Sequence, residues 1–233
     1  MAPDIVLLLL GSTRSGKTSF ASCVAKPKDG KTDRGSTTTC KEYETDPIDG
    51  KTFRIIDTPG LDDAPAGNLA VLNKIAEQLQ KGTEVNGVIY FHRVTNARLT
   101  GSARANIEIF RKICGAPFFY QTAFVTTMWN TISKDQLSRF HRLNGELRGV
   151  IANLTNGSTE FFEFDSRDAG TAKKILEHFA VKVLPKIRRK NTEQLLQLAT
   201  DVKLLGSSPS GVRRTHAGKQ IVKDLNRGFC VIL

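Results

Sequence analysis

The chain has 233 residues, with 34 lysines and arginines against 23 aspartates and glutamates, a net charge of +11 and a pI near 9.7. That length suits one globular domain with a tail and argues against two full domains. The basic excess asks for solubility or an acidic partner, and the four cysteines (Cys23, Cys40, Cys114, Cys230) have neither a C-x-x-C pair nor metal-ligand spacing, which excludes a disulfide or zinc scaffold.

The first element is the apolar run Ile5 to Leu10, too short to span a bilayer and preceded by Asp4 where a signal peptide carries Lys or Arg. It reads as a buried parallel strand. It enters Gly11-Ser12-Thr13-Arg14-Ser15-Gly16-Lys17-Thr18, a phosphate-binding loop of the form G-x-x-x-x-G-K-[ST]. The glycines let successive backbone N–H groups turn toward an anion, Lys17 reaches the terminal phosphates, and Thr18 offers its hydroxyl to Mg²⁺. Thr18 to Ala25, including Ser19, reads as a helix whose positive end faces the same phosphates.

Lys26 to Gly35 is a polar loop without periodicity, ending in Ser36-Thr37-Thr38-Thr39. Strands over Cys40 to Thr45 and Phe53 to Ile56, turning at Asp49-Gly50, form a hairpin that delivers Asp57-Thr58-Pro59-Gly60 to the phosphate loop. A carboxylate there suits Mg²⁺, held through water, and Gly60 can offer an N–H to a γ-phosphate. Further on come a helix over Leu69 to Leu79, a strand over Gly87 to Phe91 and a loop from Arg98 to Gly101. Ser102 to Cys114 reads as a helix, Thr122 to Met128 as a strand and Lys134 to Leu154 as a helix. Phe161 to Phe164 is a strand, and Asp168 to Leu184 a helix ended by Pro185. Strands alternating with helices predict an α/β three-layer sandwich, its central sheet mostly parallel with one antiparallel edge strand.

From these residues the chain resembles the P-loop GTPases, in particular the septin-like and immunity-associated (GIMAP-like) branch. The resemblance runs from about Asp4 to Leu184. It implies a G domain over residues 1–185 that binds GTP or GDP with Mg²⁺. In it, Lys17 neutralises the β- and γ-phosphates and Thr18 and Asp57 hold the metal. A switch threonine, Thr38 with Thr37 as the alternative, ligates the metal and senses the γ-phosphate, and Gly60 senses it from the other side. Lys17 and Thr38 are then the groups that act on the reacting phosphate.

Two departures qualify the resemblance. Guanine selectivity in most of the family rests on N/T-K-x-D, whose Asp accepts two N–H bonds from the base. Thr126-Thr127-Met128-Trp129 places Thr127 at the Lys position and Trp129 at the Asp position, where a ring can stack on a purine but not pair with it. ATP use therefore stays open. Asp165-Ser166-Arg167 is the second base-side loop, with Asp165 either a substitute carboxylate or a solvated one. In hydrolysis, Leu61 stands where Ras-like enzymes carry a water-orienting glutamine, so turnover is expected to be slow unless a partner or a second copy, meeting it through the nucleotide face, completes the site. Arg14 is a candidate for added transition-state charge.

Residues 186–205 hold the basic run Lys186, Arg188, Arg189 and Lys190 and a helix with Leu195, Leu198, Val202 and Leu205 on one stripe, expected to pack back on the domain. Residues 206–233 read as a flexible basic tail, beginning with the linker Gly206 to Gly211. It ends Cys230-Val231-Ile232-Leu233, of the C-a-a-X form that directs geranylgeranylation at Cys230. Ile221, Val222, Leu225 and Phe229 oppose Lys219, Lys223 and Arg227 on a helical wheel, which suits an anionic membrane surface, although a disordered basic tail fits as well. The basic residues lack interleaved aromatics, so no nucleic-acid partner is expected. The expectation is a membrane-tethered eukaryotic nucleotide switch at a cytoplasmic face with an unnamed effector, or a nucleotide-dependent scaffold subunit.

Overall fold

The computed structural model describes residues 4–27, 37–61, 65–96, 101–183, 185 and 197–228. Seven strands form one sheet: β1 (Ile5–Gly11), β2 (Lys26–Pro27), β3 (Lys41–Glu44), β4 (Phe53–Asp57), β5 (Gly87–Arg93), β6 (Thr122–Thr127) and β7 (Glu160–Glu163), in the order β2-β3-β4-β1-β5-β6-β7. All neighbours pair in parallel except β2 with β3 and β3 with β4. The strand running against the rest is therefore β3. It is not the edge, because β2 pairs outside it, and Pro27, which has no N–H to donate, sits in that edge strand.

β1 is buried over its whole length, and alternation sends its side chains to both faces of the sheet. Val6, Leu8 and Leu10 enter one apolar cluster, while Ile5, Leu7 and Leu9 enter the other. The first cluster is closed by α2 (Pro65–Gln80), α3 (Gly101–Cys114) and α4 (Leu137–Leu154). The second is closed by α1 (Lys17–Val24), α5 (Ala169–His178) and the π turn Phe179–Val183 that continues α5. Phe20 of α1 packs on Phe91 and Phe164, with ring centroids 5.2 and 5.5 Å away, and so fixes α1 against the sheet. Because β1 lies between β4 and β5, the loop after it opens where the chain order reverses across the sheet, the usual place for a ligand in such folds.

The chain beyond Leu205 departs from expectation. α6 (Gln197–Leu205), α7 (Pro209–Arg214) and α8 (His216–Gly228) pack as a further layer on α2 and α3. Leu198 and Val202 are buried in the first cluster. The stretch read as a linker is instead a tight junction, in which the Ser208 side chain caps α7 by accepting from the Gly211 N–H. Ile221, assigned above to a membrane face, is buried together with Val212 and Ala217. The same amphipathic pattern serves protein or lipid, and here the protein's own helices take it. Asp201 on α6 fixes the start of α8, accepting from the His216 backbone N–H at 2.7 Å and meeting its ring Nδ1 at 3.0 Å. The basic run 186–190, Leu195, Phe229 and Cys230 lie outside the described residues, and for Leu225 and Arg227 only the backbone is described. Among the described residues no helix is long and apolar enough to cross a membrane.

Cys23, Cys40 and Cys114 are free thiols. Burial pushes all three up, Cys40 to about 12, so they stay protonated.

Candidate nucleotide-binding site

The loop between β1 and α1 keeps its shape for steric reasons. Gly11 has φ +142°, and a Cβ there would lie 2.3 Å from the Phe91 carbonyl oxygen of the neighbouring strand, so only glycine passes. Arg14 and Gly16 also take positive φ, at 60° and 94°. The chain thus curls before α1 begins at Lys17, and no side chain caps the first turn of that helix. The N–H groups of this turn face a cleft of about 390 Å³, lined by residues 13–19 with Thr37, Gly60 and Met128. Lys17 is buried at the base of the loop, donating from Nζ to the carbonyls of Gly11 and Ser12 at 3.1 Å each.

Beside Lys17 stands a cluster of oxygens. Thr18 donates to Asp57 Oδ2 at 2.6 Å, Thr37 donates to the same atom at 3.2 Å, and the two hydroxyls lie 3.0 Å apart. Asp57 Oδ1 is buried with no hydrogen-bond partner. Burial raises the Asp57 pKa, while the Thr18 hydrogen bond and the Lys17 charge hold it back. An all-oxygen set with an unsatisfied carboxylate oxygen fits Mg²⁺, which prefers hard ligands and keeps several waters.

The threonine that meets Asp57 is Thr37, not Thr38. Thr38 is exposed, and its carbonyl is held by Lys74 Nζ of α2, which leaves the preceding residue to turn inward. Gly60 is where it was expected, and for a stronger reason than turn formation. A Cβ on it would come within 2.4 Å of Thr13 Cα and N. Leu61 then pairs with the phosphate loop like a short added strand, its N–H on the Gly11 carbonyl at 2.9 Å and its carbonyl accepting from Thr13 N–H at 3.2 Å. Its side chain is 2% exposed and belongs to the core. Asp62 and Asp63 lie outside the described residues.

The base side differs from expectation. Thr127 is buried and donates to the Ser15 carbonyl at 2.8 Å, and its methyl would lie 3.5 Å from a Cβ placed on Gly16, so it braces the phosphate loop. Trp129 stacks on His141 of α4 at 4.7 Å and gives its Nε1–H to Thr126, which commits the ring to α4. Asp165 is occupied by Arg167, whose Nη2 lies 2.7 Å away and whose hydrogen bonds, first among the causes, lower its pKa. The Ser166 carbonyl accepts from Cys23 Sγ at 3.7 Å, which ties this loop to α1. Met128, at φ +66°, lines the phosphate cleft. Nothing in its residue type signals that role, which follows from its place one residue beyond the end of β6.

The AIG1 family profile matches residues 5–206. Immune-associated nucleotide-binding protein 10 of Arabidopsis thaliana is 23% identical over 226 residues, 94% of this chain and 45% of that protein, so the chain spans about half the length of this curated relative. Among solved structures, Toc33 from Arabidopsis thaliana in complex with GDP and Mg²⁺ is similar with a TM-score of 0.58 at 16% identity, over 82% of this chain and 86% of that one. Toc33 with Mg²⁺ and GMPPNP gives 0.56 at 18%, over 79% and 85%. The bacterial selenocysteine-specific elongation factor EF-Sec gives 0.54 at 17%, over 80% and 29%. At these identities the likeness is one of fold.

Proposed function

The chain belongs to the AIG1 family, and from that premise we propose that it is a GTP-binding GTPase domain that takes guanine nucleotide with Mg²⁺, turns it over slowly and acts as a switch. The observation that carries this reading is the convergence of Lys17, Thr18, Thr37 and Asp57 on one side of the cleft whose other wall is the curled loop. The backbone N–H groups of the loop hold the phosphates, and Lys17 turns from the Gly11 and Ser12 carbonyls toward the β- and γ-oxygens. Thr18, Thr37 and Asp57 hold the Mg²⁺ shell, and the ion supplies positive charge to the phosphate oxygens. Gly60, pressed against Thr13, senses whether a third phosphate is present. The likeness to Toc33 solved with GDP and Mg²⁺ supports this choice of ligands.

Slow turnover rests on Leu61. Its buried, apolar side chain cannot orient a water, so single-turnover hydrolysis of GTP at low protein concentration is expected at or below about 10⁻³ s⁻¹, in the range of an unassisted switch GTPase. A rate above about 1 s⁻¹ that does not depend on protein concentration contradicts it. A rate that rises with concentration is the signature of completion by a second copy across the nucleotide face. Dimerization is important for the GTPase activity of atToc33 and psToc159, which is the precedent for that arrangement.

Membrane attachment is the other half of the proposal and rests on Cys230-Val231-Ile232-Leu233 together with the outward Arg213, Arg214, Lys219 and Lys223. In cells expressing the full chain, Cys230→Ser is expected to move the protein from the membrane pellet to the soluble fraction. An unaltered distribution removes the lipid from the account.

A further inference from the structure

We propose that Lys74 is a positioning residue for the metal site. By gripping the Thr38 carbonyl from α2 it keeps the Thr37 hydroxyl on Asp57, so that Thr37 joins the Mg²⁺ shell of the diphosphate complex as well as the triphosphate one. The sensing of the third phosphate is then left to Gly60. This rests on the nucleotide-binding reading above and adds to it what places Thr37.

The segment that follows Thr37 leans on one side of α2. Lys74 donates from Nζ to the Thr38 carbonyl, and Cys40 donates from Sγ to the Lys74 carbonyl at 3.8 Å. Gln78, one turn further along the same face of the helix, donates from Nε2 to Glu42. Glu42 is met from the other side by Arg54 of β4 at 3.8 Å, and Cys40 packs on the first apolar cluster. Thr38, Cys40 and Glu42 are thus all tied to the body of the fold. Thr37 turns the other way, its hydroxyl 3.2 Å from Asp57 Oδ2 and 3.0 Å from the Thr18 hydroxyl.

Where each tie acts decides what it does. Gln78 and Cys40 secure β3 and the residue before it, which the pairing of Lys41 with Asp57 in the sheet already sets in place. Lys74 acts on the residue next to Thr37, with a charge-assisted bond that is stronger than the neutral ones around it. Its helix buries Leu72, Ile75, Ala76 and Leu79 in the first cluster, so the donor stands on a rigid element.

Every atom in these contacts belongs to the protein. The placement of Thr37 therefore draws on no phosphate, in contrast to a switch loop that γ-phosphate and Mg²⁺ must order. Gly60 differs, because it presses on Thr13 of the phosphate loop itself, and a change at the third phosphate reaches it directly.

The test is the Mg²⁺ concentration at which affinity for a fluorescent GDP derivative is half enhanced, measured by equilibrium binding to the full chain, Lys74→Met, Thr37→Val, the double variant and Lys74→Arg. Lys74→Met keeps the aliphatic stem and the backbone carbonyl that Cys40 uses but removes the donor. It is expected to raise the Mg²⁺ midpoint about tenfold while affinity without Mg²⁺ stays within about twofold. Thr37→Val is expected to raise it at least as much, and the double variant no further than Thr37→Val, because Lys74 acts through Thr37. Lys74→Arg keeps a charged donor and is expected to restore the wild-type midpoint. Should Lys74→Met melt below the assay temperature, Lys74→Gln carries the same comparison. An unmoved midpoint in Lys74→Met or in Thr37→Val, or effects that simply add in the double variant, overturns this assignment and leaves the nucleotide reading standing. If the wild type binds no nucleotide at any Mg²⁺ concentration, the nucleotide reading itself falls and this assignment with it.

Discussion

Lys17→Ala is expected to raise the dissociation constant for GDP and GTP by about a hundredfold or more while the fold survives. Hydrogen bonds to charged groups contribute about 1.5–3 kcal/mol each, and Lys17 is placed to make them to more than one phosphate. Its ammonium is buried in the loop, donating to two main-chain carbonyls, so its charge reaches an incoming phosphate without first ordering a long exposed side chain. In the variant the Gly11 carbonyl still accepts from the Leu61 N–H at 2.9 Å and the Ser12 carbonyl from the Ser15 N–H at 3.2 Å, which limits the stability loss to about 1 kcal/mol. Equilibrium binding and a thermal melt together check the claim. Unchanged affinity contradicts it, whereas a collapsed melt would mean that Lys17 is structural.

Gly60→Ala is expected to abolish the protein's preference between di- and triphosphate while leaving GDP binding within about threefold. The added methyl would sit 2.4 Å from Thr13 Cα and N, and those are backbone atoms that cannot swing aside. Either the phosphate loop or the segment after Asp57 must shift, which breaks the pairing of Leu61 with Gly11 and Thr13 and loosens the buried Leu61 side chain. Overpacking of this kind costs about 1–3 kcal/mol, or roughly 3–10 °C of melting temperature in a domain of this size. The clash falls on Thr13 and not on Lys17 or Thr18, so GDP is expected to be retained. The check compares GDP with a non-hydrolysable GTP analogue in wild type and variant. A variant that separates the two as the wild type does would show that Gly60 takes no part in sensing the third phosphate.

Much of this was legible in the residues, and the limits have physical causes. β1 could be read from six consecutive apolar residues because a strand buried on both faces needs no alternation, and the loop after it because its glycines are sterically required. Asp57 could be found from its position at a strand end. Thr37 and Thr38 could not be told apart, because adjacent threonines near a strand differ only in which way they face, and Lys74 on a distant helix settles that. On the base side the letters leave the packing of Thr127 and Trp129 open. Thr126 and Thr127 are identical as letters, and only the Thr127 bond to the Ser15 carbonyl identifies which of them braces the loop. Trp129 looked like a stacking platform because the His141 that engages it lies in another element. The tail reads equally as a membrane-surface helix or a disordered basic segment because a hydrophobic stripe states that a face will be covered but not by what, and α2 with α3 supply the cover.

The central claim is that the loop from Gly11 to Thr18, closed by Asp57 and Thr37, holds a purine nucleotide through its phosphates and Mg²⁺. The most direct measurement is a calorimetric titration of the nucleotide-free full chain with GDP, with and without Mg²⁺. The account predicts saturable binding of one nucleotide per chain that weakens markedly when the metal is chelated. Absence of binding by GDP and by the other purine diphosphates, in a protein whose melt shows it folded, would contradict it.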